Sequence, residues 1–285
     1  MKDLSFASHV DDTKIYVYSW RPQGPARAVL VISHGFKAHG GLYGWAGEQF
    51  VNSGLAVYAI DHRGHGNSGG DRYEATHVDE FVADLDQLVE LAKARDPGLP
   101  VFLLGHSAGG VIGCVYALEH QEKLAGFLCE SYALGVYAPG FALAALKGLS
   151  YVAPHLHVLD LKNELFSRDP KVVEALDHDP LIPQMNYPTG TVAALVRATE
   201  RVRAEFANIT LPVLIMHGTE DKVTEPAGSQ LFFEGTGSKD KSLKLYQGHV
   251  HDLLADVDKE VPMADMRAWI EAHLSAGRAN TVEIS

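Results

Sequence analysis

Gly105-His106-Ser107-Ala108-Gly109 is the segment that most restricts what this chain can fold into. Four apolar residues, Val101 to Leu104, lead into it, and residues 108–118, apolar almost all round, lead out. The first run reads as a buried strand and the second as a buried helix. A strand-to-helix turn this tight has little room beside its central residue, so small residues are needed two before and two after, where Gly105 and Gly109 stand. The turn lifts the Ser107 hydroxyl off the sheet. It also sets Ser107 at a helix N-terminus, where free N–H groups and the dipole favour developing negative charge.

The rest of the chain supplies the sheet such a turn needs. Residues 28–33, 55–60, 101–104, 124–129 and 212–216 are apolar runs of strand length, as expected of strands covered on both faces. Residues 14–20 alternate and predict an exposed early strand, and residues 242–246 alternate like a last one. Between them, Val78, Phe81, Val82, Leu85, Leu88, Val89 and Ala92 form one helical stripe over residues 78–92, with Thr76 and Asp79 as the N-cap pair. Residues 262–274 predict a surface helix. Alternating strands and helices argue for an α/β architecture with a mostly parallel central sheet.

Residues 131–205 break the rhythm. They are rich in Leu, Ala, Tyr and Pro and carry no clean strand, which predicts a helical cap or lid inserted before the strand at 212–216. The expected organisation is a core of residues 1–130 and 206–275, the cap at 131–205, and a polar, frayed tail at 276–285. A chain of 285 residues can bury a full core without a metal or disulfide. Cys114 and Cys129, the two cysteines, form no C-x-x-C pair and read as small core residues. With 24 basic against 36 acidic side chains, the formal net charge is −12, which argues against nucleic acid as a partner and against a polybasic membrane patch. No apolar stretch is long enough for a signal peptide or a spanning helix, so a cytoplasmic location is the expectation.

Serine alone is a poor nucleophile and needs a base, and the base needs an orienting acid. On a strand–turn–helix serine site the chain order is serine, acid, histidine. Beyond the strand at 212–216, the loop His217-Gly218-Thr219-Glu220-Asp221-Lys222-Val223 offers Asp221, with Glu220 and Glu225 as competitors. The short reach of that loop suits the short carboxylate. After residues 242–246, His249 and His251 compete for the role of base. An ester's tetrahedral intermediate also needs two aimed donors. The backbone N–H of Ala108, next to the nucleophile, is one candidate. The other is the N–H of Phe36, after the strand that ends Val31-Ile32-Ser33 and the turn His34-Gly35.

With these residues placed, the chain resembles the monoacylglycerol lipase and lysophospholipase group of α/β hydrolases over about residues 10 to 275. The resemblance rests on His34-Gly35, on Asp61-His62-Arg63-Gly64-His65-Gly66-Asn67-Ser68, on Gly105-His106-Ser107-Ala108-Gly109-Gly110, on His217-Gly218-Thr219-Glu220-Asp221, and on Tyr246-Gln247-Gly248 followed by His251-Asp252. It implies an α/β-hydrolase fold with a small mobile cap and no cofactor. It also implies a triad of Ser107, Asp221 and His251, and an oxyanion hole from the backbone N–H groups of Phe36 and Ala108. The implied activity is cleavage of monoacylglycerols or similar lipid-like esters through an acyl-enzyme. Two departures stand out: Ala108 where members often carry Met, and Val250, beside His249, where members often carry a bulky aromatic residue just before the histidine.

Within the cap, Leu134, Tyr137, Phe141 and Leu146 are the candidates for contacting an acyl chain, and the same apolar lid predicts transient contact with a micelle or membrane surface. Short-chain carboxylesterase and lysophospholipase activities remain alternatives, as does a non-catalytic binding module on the same fold. His62, Arg63 and His65 read as a hydrogen-bonded brace, and no H-E-x-x-H or C-x-x-C spacing indicates a metal.

Overall fold

The computed structural model describes residues 2–135, 137 and 139–279, with only the backbone path for 276–279. Eight strands form one sheet: β1 (Lys2–Ala7), β2 (Lys14–Trp20), β3 (Ala28–Ser33), β4 (Leu55–Asp61), β5 (Val101–His106), β6 (Gly126–Glu130), β9 (Val213–Gly218) and β10 (Lys241–Tyr246). Their order across the sheet is β1-β2-β4-β3-β5-β6-β9-β10, and β2 alone runs against the other seven.

Every residue of β3, β4, β5, β6 and β9 is buried, because helices cover both faces. Side chains alternate between faces along a strand. In β3, Val29 and Val31 therefore pack under α2 (Val78–Arg95) and α3 (Ala108–His120), whereas Leu30 and Ile32 pack under α1 (Gly44–Asn52) and α8 (Glu260–Ala279). α7 (Pro226–Gly235) lies on the α2–α3 side, where Phe232 is fully buried. Cys114 and Cys129 are free thiols in that same layer.

Three expectations need correction. The strand at 14–20 is not exposed: β1 pairs along its outer edge, and Ile15, Val17, Tyr18 and Trp20 are buried. β1 itself carries only Leu4 and Phe6 as large apolar positions, too few for a strand signal. The first turn of α2 is capped not by Thr76 and Asp79 but by Glu80, whose carboxylate accepts from the backbone N–H groups of Thr76 and His77. The tail expected from residue 276 begins later, since α8 runs to Ala279; residues 280–285 lie outside the described residues.

Between β6 and β9 the chain makes its long excursion. It carries α4 (Gly140–Leu149), α5 (Pro170–His178) and α6 (Thr189–Glu205), and also an antiparallel pair of short strands, β7 (His157–Leu159) and β8 (Tyr187–Pro188). That pair is too short for any periodicity to announce it, since two or three residues cannot alternate measurably. α6 lies over α3, with Ala198 and Val202 buried in the α2–α3 layer. Among the described residues no helix is long and apolar enough to cross a membrane.

Candidate active site

Because the inner strands run parallel, their C-terminal ends share one edge of the sheet. β5 delivers Ser107, β9 the loop to Asp221, β10 the loop to His251, and β3 the turn His34-Gly35-Phe36. Four segments remote in sequence thus converge.

Ser107 has φ +55° and ψ −117°, a backbone state that a residue with a Cβ rarely holds. It is over-determined by its surroundings. Its N–H donates to the Glu130 carbonyl at 2.9 Å, while its own carbonyl accepts from Gly110 at 2.9 Å and Val111 at 3.3 Å. A Cβ on Gly105 would stand 2.5 Å from the Gly109 carbonyl oxygen, and one on Gly109 would overlap the Ser33 carbonyl. The two small residues that the turn demands are therefore forced by backbone packing against backbone. On the β3 turn, a Cβ on Gly35 would stand 2.9 Å from the Ser107 Cβ, so the turn passes directly over the serine. Among the described residues neither the Phe36 nor the Ala108 N–H donates to a backbone acceptor.

The acid loop converges on one carboxylate. Asp221 is fully buried, and its Oδ2 accepts from His251 Nδ1 at 2.7 Å, from His217 Nε2 at 3.0 Å and from the Thr224 hydroxyl at 2.8 Å. Its Oδ1 accepts from the N–H groups of Val223 at 2.7 Å and Thr224 at 3.0 Å. Burial pushes this carboxyl up, but the neighbouring His251 and the hydrogen bonds from His217 and His251 outweigh it and hold it far below the usual carboxylate range. An ionised Asp221 can only accept, so His251 carries its proton on Nδ1. The lone pair is left on Nε2, which is buried and has no hydrogen-bond partner among the described residues. The loop bearing His251 is held from behind by β6: the Ser131 hydroxyl donates to the His251 carbonyl at 2.6 Å, and Glu130 Oε1 accepts the Leu253 N–H at 2.8 Å.

The competing residues lie elsewhere. Glu220 is exposed and its carboxylate faces Lys222 at 3.6 Å. Glu225 stands at the N-cap position of α7, without a side-chain bond to the helix. His249 packs against Tyr246 with its Nδ1 3.6 Å from Asp256. In the sequence His217 stands in the acid-loop motif without a role of its own, and Thr224, Glu130 and Ser131 stand in no motif. His217 and Glu130 sit at strand ends inside apolar runs, where a polar residue is itself the available signal.

The loop after β4 forms a brace. Buried Arg63 donates to both oxygens of Asp84, at 2.8 and 3.1 Å, and to Asp11, Glu80 and Ser8. His34 must accept the His62 N–H on Nε2 at 3.0 Å, so its Nδ1 donates to the Gly35 carbonyl at 2.7 Å. Burial holds His34 neutral, well below its ordinary value, and brings His62 to about 3 and His65 to about 4.

An apolar cavity of about 450 Å³ opens on the serine. Ser107, Ala108 and Phe36 form its floor; Leu134, Tyr137, Leu143, Leu146, Leu159 and Val192 are among its walls. The Tyr137 hydroxyl donates to the Asp221 carbonyl at 2.9 Å. Phe141 is a correction: it is 80 % exposed, because α4 turns Ala142, Leu143 and Leu146 towards the cavity and Phe141 away from it. As to metals, His106, Glu130 and Asp252 bring one ligand atom each within 4.8 Å of the others. Burial pushes the Glu130 carboxyl well above its ordinary range, which disfavours the charged form a cation would need there.

The comparisons agree with this geometry. A model of the family described as serine aminopeptidase, S33, matches residues 24–258. A monoacylglycerol lipase of Mycolicibacterium smegmatis is 34 % identical over 95 % of this chain and 97 % of its own length. A monoglyceride lipase of Homo sapiens is 33 % identical over 92 % of this chain and 86 % of its own. The crystal structure of a Paleococcus ferrophilus monoacylglycerol lipase superposes with a TM-score of 0.82 at 32 % identity, covering 91 % of this chain and 99 % of that one. The chain belongs to the serine aminopeptidase S33 family of α/β hydrolases, in its monoacylglycerol-lipase-like group, and is a carboxylic ester hydrolase.

Proposed function

We propose that this enzyme hydrolyses monoacylglycerols and similar lipid esters at Ser107, with His251 as base, Asp221 as orienting acid, and the Phe36 and Ala108 N–H groups as the oxyanion hole. The observation that carries the reading is the apolar cavity ending on Ser107, which suits an acyl chain and offers little to a peptide. His251 Nε2 takes the proton from Ser107 as its oxygen attacks the ester carbonyl carbon. The two N–H groups hold the resulting oxyanion. Collapse breaks the bond to the glycerol oxygen, which leaves with the proton from His251. Water, deprotonated by the same nitrogen, then releases the fatty acid and restores Ser107. Asp221 keeps the imidazole in the required tautomer and stabilises the imidazolium.

Residues 131–205 act as a cap over this cavity in this reading, supported by Leu134, Leu146, Leu159 and Val192 among its walls. The exposed apolar side chains of Phe141, Tyr151 and Val152 support contact of that cap with a micelle or membrane surface. Initial rates on a series of glycerol monoesters test the substrate. Turnover rising with acyl length to the medium and long chains is expected, and a maximum at acetate would make this a short-chain esterase instead.

A further inference from the structure

We propose that Tyr187 is a positioning residue for the oxyanion hole: its hydroxyl and ring fix the Phe36 backbone, so the donor of the β3 turn is set by the segment inserted between β6 and β9. The inference rests on the serine-hydrolase reading above and adds a residue to it.

The hydroxyl has no freedom. His65 Nδ1 lies 2.9 Å from the Arg63 carbonyl, which can only accept, so that nitrogen carries the proton. Its Nε2, 3.0 Å from the Tyr187 oxygen, must then accept the phenol proton. The Tyr187 oxygen in turn accepts the Lys37 N–H at 2.5 Å. The chain of bonds runs one way, from Lys37 N–H to Tyr187 O–H to His65, and from His65 N–H to the Arg63 carbonyl. All four residues are buried, so water does not replace a lost member.

The peptide that donates to Tyr187 joins Phe36 to Lys37. Lys37 has φ +50°, a conformation that needs holding from outside. The Tyr187 ring also stacks on Phe36, with centroids 4.0 Å apart and planes 17° apart, and on Tyr73 at 4.2 Å on its other face. Tyr187 thus grips Phe36 through both its side chain and its following peptide. The same turn is tied to the insertion at two further points. Lys37 Nζ donates to the Leu161 carbonyl at 2.8 Å and to Gln184 at 3.2 Å, and His39 Nε2 faces Asp179 at 3.0 Å. Tyr187 pairs across the short sheet with Leu159, a wall of the acyl cavity.

The test is Tyr187→Phe, which keeps the stack and removes the hydroxyl. A trifluoromethyl ketone carrying a long acyl chain reports the oxyanion hole, because it binds as the tetrahedral adduct of Ser107. Its non-electrophilic methylene analogue reports the cavity alone. The expected result is kcat down about tenfold with KM within about twofold, the ketone weakened by the same factor and the analogue unchanged. His65→Leu, which removes the acceptor of the phenol proton, should do the same and serves if Tyr187→Phe fails to fold. Tyr73→Phe, one ring further out, should leave kcat and the ketone affinity unchanged. Wild-type kcat and ketone affinity in a folded Tyr187→Phe or His65→Leu enzyme would overturn the proposal, as would an equal loss in Tyr73→Phe. A raised KM with unaltered kcat would also overturn it, making Tyr187 a wall of the cavity only. Failure of the serine-hydrolase reading looks different: the ketone would then form no adduct with the wild-type enzyme.

Discussion

Asp221 Oδ2 meets His251 Nδ1 at 2.7 Å with both side chains fully buried. That one contact fixes which nitrogen of His251 carries the proton and which carries the lone pair. Asp221→Asn presents a donor or a weaker acceptor to Nδ1 and frees the imidazole to take the other tautomer. Its kcat should fall by about 10³ to 10⁴ with little change in KM, in steady-state assays on a glycerol monoester. A loss under tenfold would place the orienting role elsewhere.

His217 shares the same carboxylate oxygen, at 3.0 Å, and its Nδ1 meets the Ser229 hydroxyl at 2.7 Å. His217→Ala removes one donor but leaves His251, Thr224 and two backbone N–H groups on Asp221. A kcat loss of about three- to thirtyfold is expected, well short of that of Asp221→Asn. Equal losses in the two variants would mean that His217, not His251, is the partner that matters to the acid.

Legibility in the sequence followed the physics of each element. β3, β5 and β9 were readable because burial on both faces leaves an unbroken apolar run, and α2 because a one-sided helix leaves a stripe. β1 and the β7–β8 pair were not, since a short edge or two-residue strand is set by its partner rather than by its own pattern. The proposed triad of Ser107, Asp221 and His251 is legible as chemistry in a required chain order. Their supports are less so: the contacts of Ser131 with His251 and of Tyr187 with Lys37 span 120 and 150 residues, and only the fold brings such partners together.

Gly109 tests the turn itself. Its missing side chain makes room for the Ser33 carbonyl, so Gly109→Ala must shift β3 or α3. A destabilisation of about 2–4 kcal/mol is expected from overpacking at a backbone contact. Urea unfolding measures it, and a change below about 0.5 kcal/mol would contradict the packing described here.

Stability should fall on acidification from pH 7 to 5. Burial depresses His34 well below its ordinary value, His62 and His106 to about 3 and His65 to about 4, against 6.5 for the free side chain. Below pH 6.5 the unfolded chain therefore gains protons at these four positions that the folded one refuses, and each proton costs about 1.4 kcal/mol per pH unit. Burial also lowers His249, and it raises Asp61, Asp84, Glu130 and Asp252, which oppose the trend. Five histidines against four carboxyls, with His34, His62, His65 and His106 depressed furthest, leave a net loss. Unfolding midpoints across this range check it, and a flat or rising profile would contradict it.

If the cavity on Ser107 holds the acyl chain, as proposed, its wall should set chain-length preference. Leu146→Trp adds bulk where an acyl chain would lie, and kcat/KM for long-chain glycerides should fall by about tenfold or more relative to short-chain ones. A uniform loss across chain lengths would remove Leu146 from the acyl path.

The most direct test of the central claim is the site of covalent capture. The folded enzyme is treated with a fluorophosphonate and the adduct is located by peptide mass spectrometry. A single adduct on Ser107, formed in step with loss of esterase activity and absent from Ser107→Ala and His251→Ala, is the predicted result. Full inactivation with the adduct on another residue, or undiminished ester hydrolysis by Ser107→Ala, would contradict it.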